Sequence, residues 1–301
     1  MGGKDIAERE LFQLNSIFAD IFNVIVFNGD QIIATDDLVD VSAKSSYLDQ
    51  DSKLRELERD VVKLWRRPKL TLSILAVENQ TKQDPDMALR CFAYDGLSYR
   101  QQMKDRSFGR RYPVCTLVVY YAQEPWTKRR TLREAVTFPR GLKKRMLPFF
   151  NDYKLNVVDV PRLTPNQISE FRSDFKAIAT HFYNLYHEQK IPTPNDDAQH
   201  PEATALFFMN VLGGEFTDNL RDFIKRRKGK VPMNSLIQAC YGEKFEQARE
   251  EGREEGIAIA KEDALREKGQ MARQLSQRGF APEAIAEITN AELAQVQLWL
   301  K

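Results

Sequence analysis

Cysteine, histidine and long apolar runs are all scarce in this chain. Its three cysteines, Cys91, Cys115 and Cys240, stand too far apart for a disulfide framework or a zinc cluster. With three histidines and no HExxH pair, zinc-protease chemistry lacks its ligands, and no Walker-type glycine loop supports a P-loop reading. No stretch approaches membrane-spanning length, and the N-terminal MGGKDIAERELF has no long apolar run. These absences lead to the expectation of a cytoplasmic protein in a reducing compartment, with no membrane partner. At 301 residues the chain can bury a full core, so one domain with appendages is the natural starting point.

The formal net charge of +2 decides nothing, but its distribution does. Residues 1–60 carry 13 Asp and Glu against 6 Lys and Arg, whereas residues 100–145 carry 13 Lys and Arg against 3 acids. Such asymmetry along one chain points to a face for a polyanion.

The stretch from 58 to 102 organises the rest. Asp60 begins one apolar run, RDVVKLW, and Glu78 ends the next, LTLSILAVENQ. The intervening RRPK reads as a hairpin tip. A turn near Pro68 and Lys69 pairs residues whose numbers sum to about 137–138, which sets Asp60 opposite Glu78 or within a residue of it. Strand alternation puts Gln80 on the face of Glu78 and Asn79 on the other. Two carboxylates and an amide at a sheet end suit a hard divalent cation with oxygen ligands.

Asp60, then Glu78-x-Gln80, then a helix reading MALRCFAYDGLSYRQQ resembles the core of the PD-(D/E)XK nucleases. More closely it resembles the Rpn-type recombination-promoting, transposase-type nucleases. Their ordered pattern is met by Asp60, Glu78, Gln80, Leu89, Arg90, Tyr94, Tyr99 and Gln102. The order FADIFN, RDV, ENQTKQDPDMALR, RYPVCTLVVYY and NDYKLNVVDV extends the likeness over roughly residues 10–190. It implies an α/β fold: a restriction-endonuclease-like mixed sheet flanked by helices, with a helical C-terminal extension.

Phosphodiester hydrolysis with Mg²⁺ or another divalent cation is the implied chemistry. Asp60, Glu78 and the backbone carbonyl of Asn79 would be the ligands, and Gln80 would align a water. Gln80 stands where the wider superfamily more often has lysine. Glutamine takes no proton at neutral pH, so it orients a water without acting as its base. The superfamily often has an acid on its first helix, which makes Asp20 a further candidate ligand, although a solvated helix charge is its ordinary reading.

In chain order, residues 5–22 have helical apolar spacing. Residues 24–34 read as a strand pair around Asn28-Gly29, and 35–57 as a polar loop. Asp84 or Asp86 can cap a helix over 86–104. On that helix Arg90 and Tyr94 share a face and address either phosphate or the core; Arg100 and Gln102 are expected with them at the phosphates of bound DNA. Residues 114–121 read as a buried strand. The basic stretch beyond it, with Lys128, Arg129 and Arg130 beside Trp126, Phe138 and Phe149, fits a DNA-tracking groove with stacking platforms. A strand over 154–160 and a helix over 165–188 complete a nuclease-like domain of residues 1–190. His181 and His187 read as structural.

Residues 191–201, IPTPNDDAQHP, read as a linker. Residues 202–242 then form a helical extension with a basic knot at 225–230. The tail, 243–301, begins with a charged helix whose weak apolar stripe suits pairing with a second copy. It ends in a helix-turn-helix-like piece with turns at Gly279 and at Thr289-Asn290. Few basic residues on its later helices favour an oligomerisation or partner role over DNA binding.

The leading expectation is a DNA endonuclease tied to recombination or mobile-element activity. The opposing one is a non-catalytic DNA- or protein-binding module that retains the fold. Convergence or divergence of the two carboxylates separates them.

Overall fold

A computed structural model describes residues 3–41, 44–48, 54–67, 70–104, 111–228 and 230–300. Two compact units divide the chain, Met1–Cys240 and Tyr241–Lys301. The first is α/β and the second is helical.

Two helices open the first unit, α1 (Gly3–Gln13) and α2 (Asn15–Ile25), where one was expected. Leu14 between them is extended, and the Asn15 amide turns away to the carbonyls of Thr35 and Leu38. Ile17, Phe18, Ile21 and Phe22 bury one stripe of α2; each such side chain contributes about 1.5–3 kcal/mol of transfer free energy. The strand pair expected over 24–34 is not formed. Val24 and Ile25 continue the helix, and Asn28 and Gly29 adopt positive φ (54° and 92°) to stop it. The Gly29 N–H returns to the Asn23 carbonyl, while the Asn23 side chain holds Ile32 and Ile33. An Asn-Gly pair supplies left-handed geometry to a helix end as readily as to a hairpin.

The expected loop at 35–57 contains three strands among its described residues: β1 (Leu38–Asp40), β2 (Lys44–Leu48) and β3 (Leu54–Glu58). β2 and β3 form their own two-stranded sheet. Then come β4 (Val61–Arg67), β5 (Leu70–Gln80), α3 (Met87–Lys104) and β6 (Val114–Tyr120). The expected tip at Pro68 and Lys69 lies outside the described residues. Further on are α4 (Leu132–Ala135), α5 (Lys143–Met146), β7 (Val157–Asp159), α6 (Pro165–Glu170) and α7 (Phe175–Tyr186).

A five-stranded mixed sheet runs β1-β4-β5-β6-β7, antiparallel across β1, β4 and β5 and parallel across β5, β6 and β7. α3 makes the crossover between parallel β5 and β6, as parallel neighbours require. Central strand β5 is buried from Ser73 to Asn79, so both sheet faces are covered. Leu75, Val77, Leu117 and Val119 pack with α2 and α7. The alternate residues of β6, Val118 and Tyr120, pack with Met87 and Cys91 of α3. Glu78 belongs to that second face by strand alternation.

The stretch 191–201 is not a free linker. Buried Asp174 accepts the N–H groups of Gln199 and His200 (2.8 Å each) and the Thr204 hydroxyl (3.0 Å), while His200 pairs with Ser16 at 2.8 Å. Ala198 donates to the Val231 carbonyl. α8 (Pro201–Val211), α9 (Asp218–Arg226) and the first turns of α10 (Met233–Gln277) add Phe207, Phe208, Leu220, Leu236 and Cys240 to the main core. The expected end of the core at residue 190 therefore moves to about 240. In the second unit, α11 (Pro282–Thr289) and α12 (Leu293–Trp299) fold back on α10 around Ala272, Ile285 and Val296. Gly279 and Asn290, at φ 89° and 46°, make the two expected turns. Among the described residues no helix is long and apolar enough to cross a membrane.

Candidate metal and phosphate site

Val61 faces Val77 in the β4–β5 pair, so one step along Asp60 faces Glu78 across the sheet end. An Asp60 carboxylate oxygen accepts the Asn79 N–H at 2.7 Å. The two acids are thus neighbours, and Gln80, half-buried, lies on the Glu78 face.

Glu78 is 1 % exposed, and neither of its carboxylate oxygens accepts a hydrogen bond among the described residues. Burial first, and the Asp60 charge second, push its pKa up to about 8; Arg59 and Arg90 oppose the shift. Those two guanidinium groups stand 3.8 Å and 4.0 Å from its oxygens. A carboxylate in this setting either takes up a proton or requires a further cation.

Arg59 is buried and supports the site from below. It donates to Thr116 Oγ1 at 2.8 Å and pairs with Asp95, and it lies 5.3 Å from the Tyr94 ring centroid. Asp95 also accepts the hydroxyls of Thr116 and Tyr153, both at 2.7 Å. Sequence reasoning missed Arg59, Asp95, Thr116 and Tyr153. Met87, Cys91 and Asp95 recur every four residues on α3, so an acid at a core-facing position was a signal available in the chain.

The other expected residues distribute unevenly. Arg90 pairs with Asp84 at 2.8 Å and lies 6.0 Å from the Tyr94 ring. Tyr94 is buried, with the guanidinium groups of Arg59 and Arg90 at 5.3 and 6.0 Å from its ring. Arg100 is exposed. Gln102, expected at phosphate, is buried instead; its amide donates to the Tyr112 carbonyl and accepts the Tyr112 N–H, clamping the entry to β6.

Asp20, the first-helix acid, is also turned elsewhere. One oxygen accepts the N–H groups of Arg172 and Ser173 and the Ser173 hydroxyl, at 2.9, 2.7 and 2.6 Å. Its helix covers the Leu75 and Val77 side of the sheet, away from the Glu78 face. Burial raises its pKa against those bonds. Its role is to hold the turn into α7.

Residues 126–152 form a basic arm rooted beside this network. Leu132 N–H donates to the Tyr153 carbonyl, Leu155 N–H to the Arg130 carbonyl, and a capping box at Thr131 and Glu134 starts α4. Gln83 Oε1 accepts the N–H groups of Thr127 and Lys128 at 2.7 and 3.0 Å. Lys128, Arg129 and Arg130 are exposed. Of the three expected stacking platforms, Trp126 is buried against Tyr120 and Phe138 packs on Phe150; Phe149 stands free in solvent. His181 is buried, with its pKa lowered to about 4 by that burial. His187 lies 2.9 Å from the Pro161 carbonyl and stacks on Tyr183.

Among the described residues, no group of three or more His, Cys, Asp or Glu side chains is gathered as a metal cluster. Compared with family models, with curated proteins and with solved structures, the chain matches none.

Proposed function

We propose that this chain is a metal-dependent DNA endonuclease with a restriction-endonuclease-like core, acting in recombination or mobile-element processes. One observation carries the reading: Glu78 is buried beside Asp60, and among the described residues neither of its oxygens accepts a hydrogen bond. A buried acid whose oxygens accept no hydrogen bond, next to a second acid, fits a divalent ion, and Mg²⁺ typically uses one or two carboxylates and keeps several waters. Asp60, Glu78 and the carbonyl of Asn79 would hold it. When bound, such an ion offsets charge on a phosphodiester under attack and acidifies water.

The chain's own residues supply the rest. Gln80 orients the attacking water through its amide, without accepting the proton as a base. Arg90, half-exposed at the mouth, and the exposed Lys128, Arg129 and Arg130 hold backbone phosphates. Arg59 fixes the floor. In the second unit, the charged part of α10 is suited to pairing with another copy.

A second reading, a non-catalytic DNA- or protein-binding module, draws on a different observation. Arg59 and Arg90 already flank Glu78 at 3.8 and 4.0 Å, so they partly offset its charge without any metal. Incubating supercoiled plasmid with Mg²⁺, Mn²⁺, Ca²⁺ or EDTA separates the two. Nicking with Mg²⁺ or Mn²⁺ that Asp60→Ala abolishes is the expected result. Binding without cleavage by a folded protein under all four conditions favours the module.

A further inference from the structure

Phe149 is 88 % exposed, and it does not stand alone. α5 runs directly into a 3-10 turn at Leu147–Phe149, giving a continuous helical stretch over 143–149. Leu142, Met146 and Phe149 recur at helical spacing and are 44 %, 42 % and 88 % exposed, so they make one apolar edge. Around it are Arg140, Lys143, Lys144 and Arg145, all exposed. Among the described residues none of these four is in an ion pair with an acid. Residues 125–150 hold eight Lys and Arg against one acid, Glu134. A bare aromatic ring within so cationic a segment is an uncommon surface feature for a protein to keep exposed.

We propose that this exposed edge, with Phe149 as its ring, is a stacking wedge for unpaired bases, so that the preferred DNA carries single-stranded or flipped nucleotides near the cleavage site. The proposal rests on the nuclease reading above and deepens it by naming the substrate class. Basic side chains alone would serve a phosphate backbone. The ring adds a platform for a π-face, and inside a duplex those faces are already occupied by neighbouring base pairs.

Position favours nucleic acid over an anionic lipid surface. The arm's root reaches the Glu78 floor through Tyr153, whose carbonyl holds Leu132 and whose hydroxyl holds Asp95. Phe92 of α3 packs edge-on against the same Tyr153 ring at 5.7 Å. A base on Phe149 would thus belong to a strand bound by the site's own arm. The apolar edge also has only three side chains, a short face for a helix that lies in a bilayer interface.

The test is binding by the full chain in EDTA, where cleavage plays no part. Fluorescence anisotropy is measured with a labelled single strand, the same sequence as duplex, and a duplex with an unpaired bulge; phosphatidylserine vesicles are measured by co-sedimentation. Single-stranded and bulged DNA should bind more tightly than duplex. Phe149→Leu should weaken them by about tenfold while leaving duplex affinity nearly unchanged, and Phe149→Trp should restore them. A 2-aminopurine at the bulge should be quenched by wild type and not by Phe149→Leu. Equal affinity of wild type and Phe149→Leu for all three DNAs overturns the wedge. Tight vesicle binding without single-strand binding overturns it in favour of a lipid surface. These arms are independent of turnover: a protein that never nicks plasmid can still show the wedge, and a nuclease can cleave with Phe149 playing no part.

Discussion

The Nε of Arg59 stands 3.8 Å from Glu78 Oε1, while the other end of the same guanidinium is committed to Asp95 and Thr116. Asp60 is one residue away, so the acid that faces Glu78 and the cation that steadies it come from adjacent positions. Arg59 is a positioning residue in this arrangement. Arg59→Met would leave Asp95 buried with two hydroxyl donors and no counter-charge. Losing one partner of a buried pair costs about 3–5 kcal/mol, and urea unfolding measures it. The double variant Arg59→Met with Asp95→Asn should cost less than the sum of the single variants. Strict additivity would mean that the two side chains do not interact.

The arm prediction concerns salt. Reversing Lys128, Arg129 and Arg130 to Glu should weaken DNA binding and flatten its log–log salt dependence by about one unit per lost phosphate contact. These side chains are exposed, so the fold should be retained. An unchanged slope in the folded triple variant would place the phosphate surface elsewhere. By contrast, Gln102→Ala should leave the slope alone and lower stability by about 1 kcal/mol, because it removes both side-chain partners of the half-buried Tyr112 backbone.

The Asp60 and Glu78 juxtaposition was legible to within one residue because antiparallel pairing constrains register; an irregularity between Trp65 and Arg66 shifts the pairing by one and sets Asp60 opposite Glu78, and alternation then assigns Gln80 to the same face. The helix after the ENQ segment was legible from its spacing. The floor was not. Arg59, Asp95, Thr116 and Tyr153 meet across as many as 94 positions, from 59 to 153, and no local pattern encodes that meeting. Asn28-Gly29 misled because hairpin and helix stop use the same left-handed backbone. The proline-rich 191–201 misled for a related reason: its polar backbone looks solvated until the remote carboxylate of Asp174 is seen to take it up.

Truncation tests that last point directly. A chain ending at Lys190 loses Phe207, Phe208, Leu220 and Leu236 from the main core and should fail to fold. A chain ending at Gly242 keeps the whole first unit and should melt cooperatively with its DNA affinity intact. Circular dichroism melts of the two fragments decide it. A folded, cooperative fragment ending at Lys190 would show that the α8 and α9 packing is dispensable.

Glu78 gives the sharpest pH test. Its pKa in the folded chain is raised from 4.5 to about 8, so between those values the folded protein holds a proton that the unfolded chain has released. The stabilisation from this group is complete below about pH 4.5 and is lost as pH rises through 8. In EDTA the melting temperature of wild type should therefore fall over that window, relative to Glu78→Gln, which has no proton to lose. Mg²⁺ should raise the wild-type melting temperature most at the upper end of the window, where Glu78 is ionised, and should leave Asp60→Ala and Glu78→Gln almost unmoved. Both variants should retain DNA binding, since removing negative charge beside the phosphates does not weaken it, while plasmid nicking disappears. If Mg²⁺ leaves wild-type melting unchanged at pH 8.5 and Asp60→Ala nicks as well as wild type, the two carboxylates are not a metal site and the binding-module reading stands in its place.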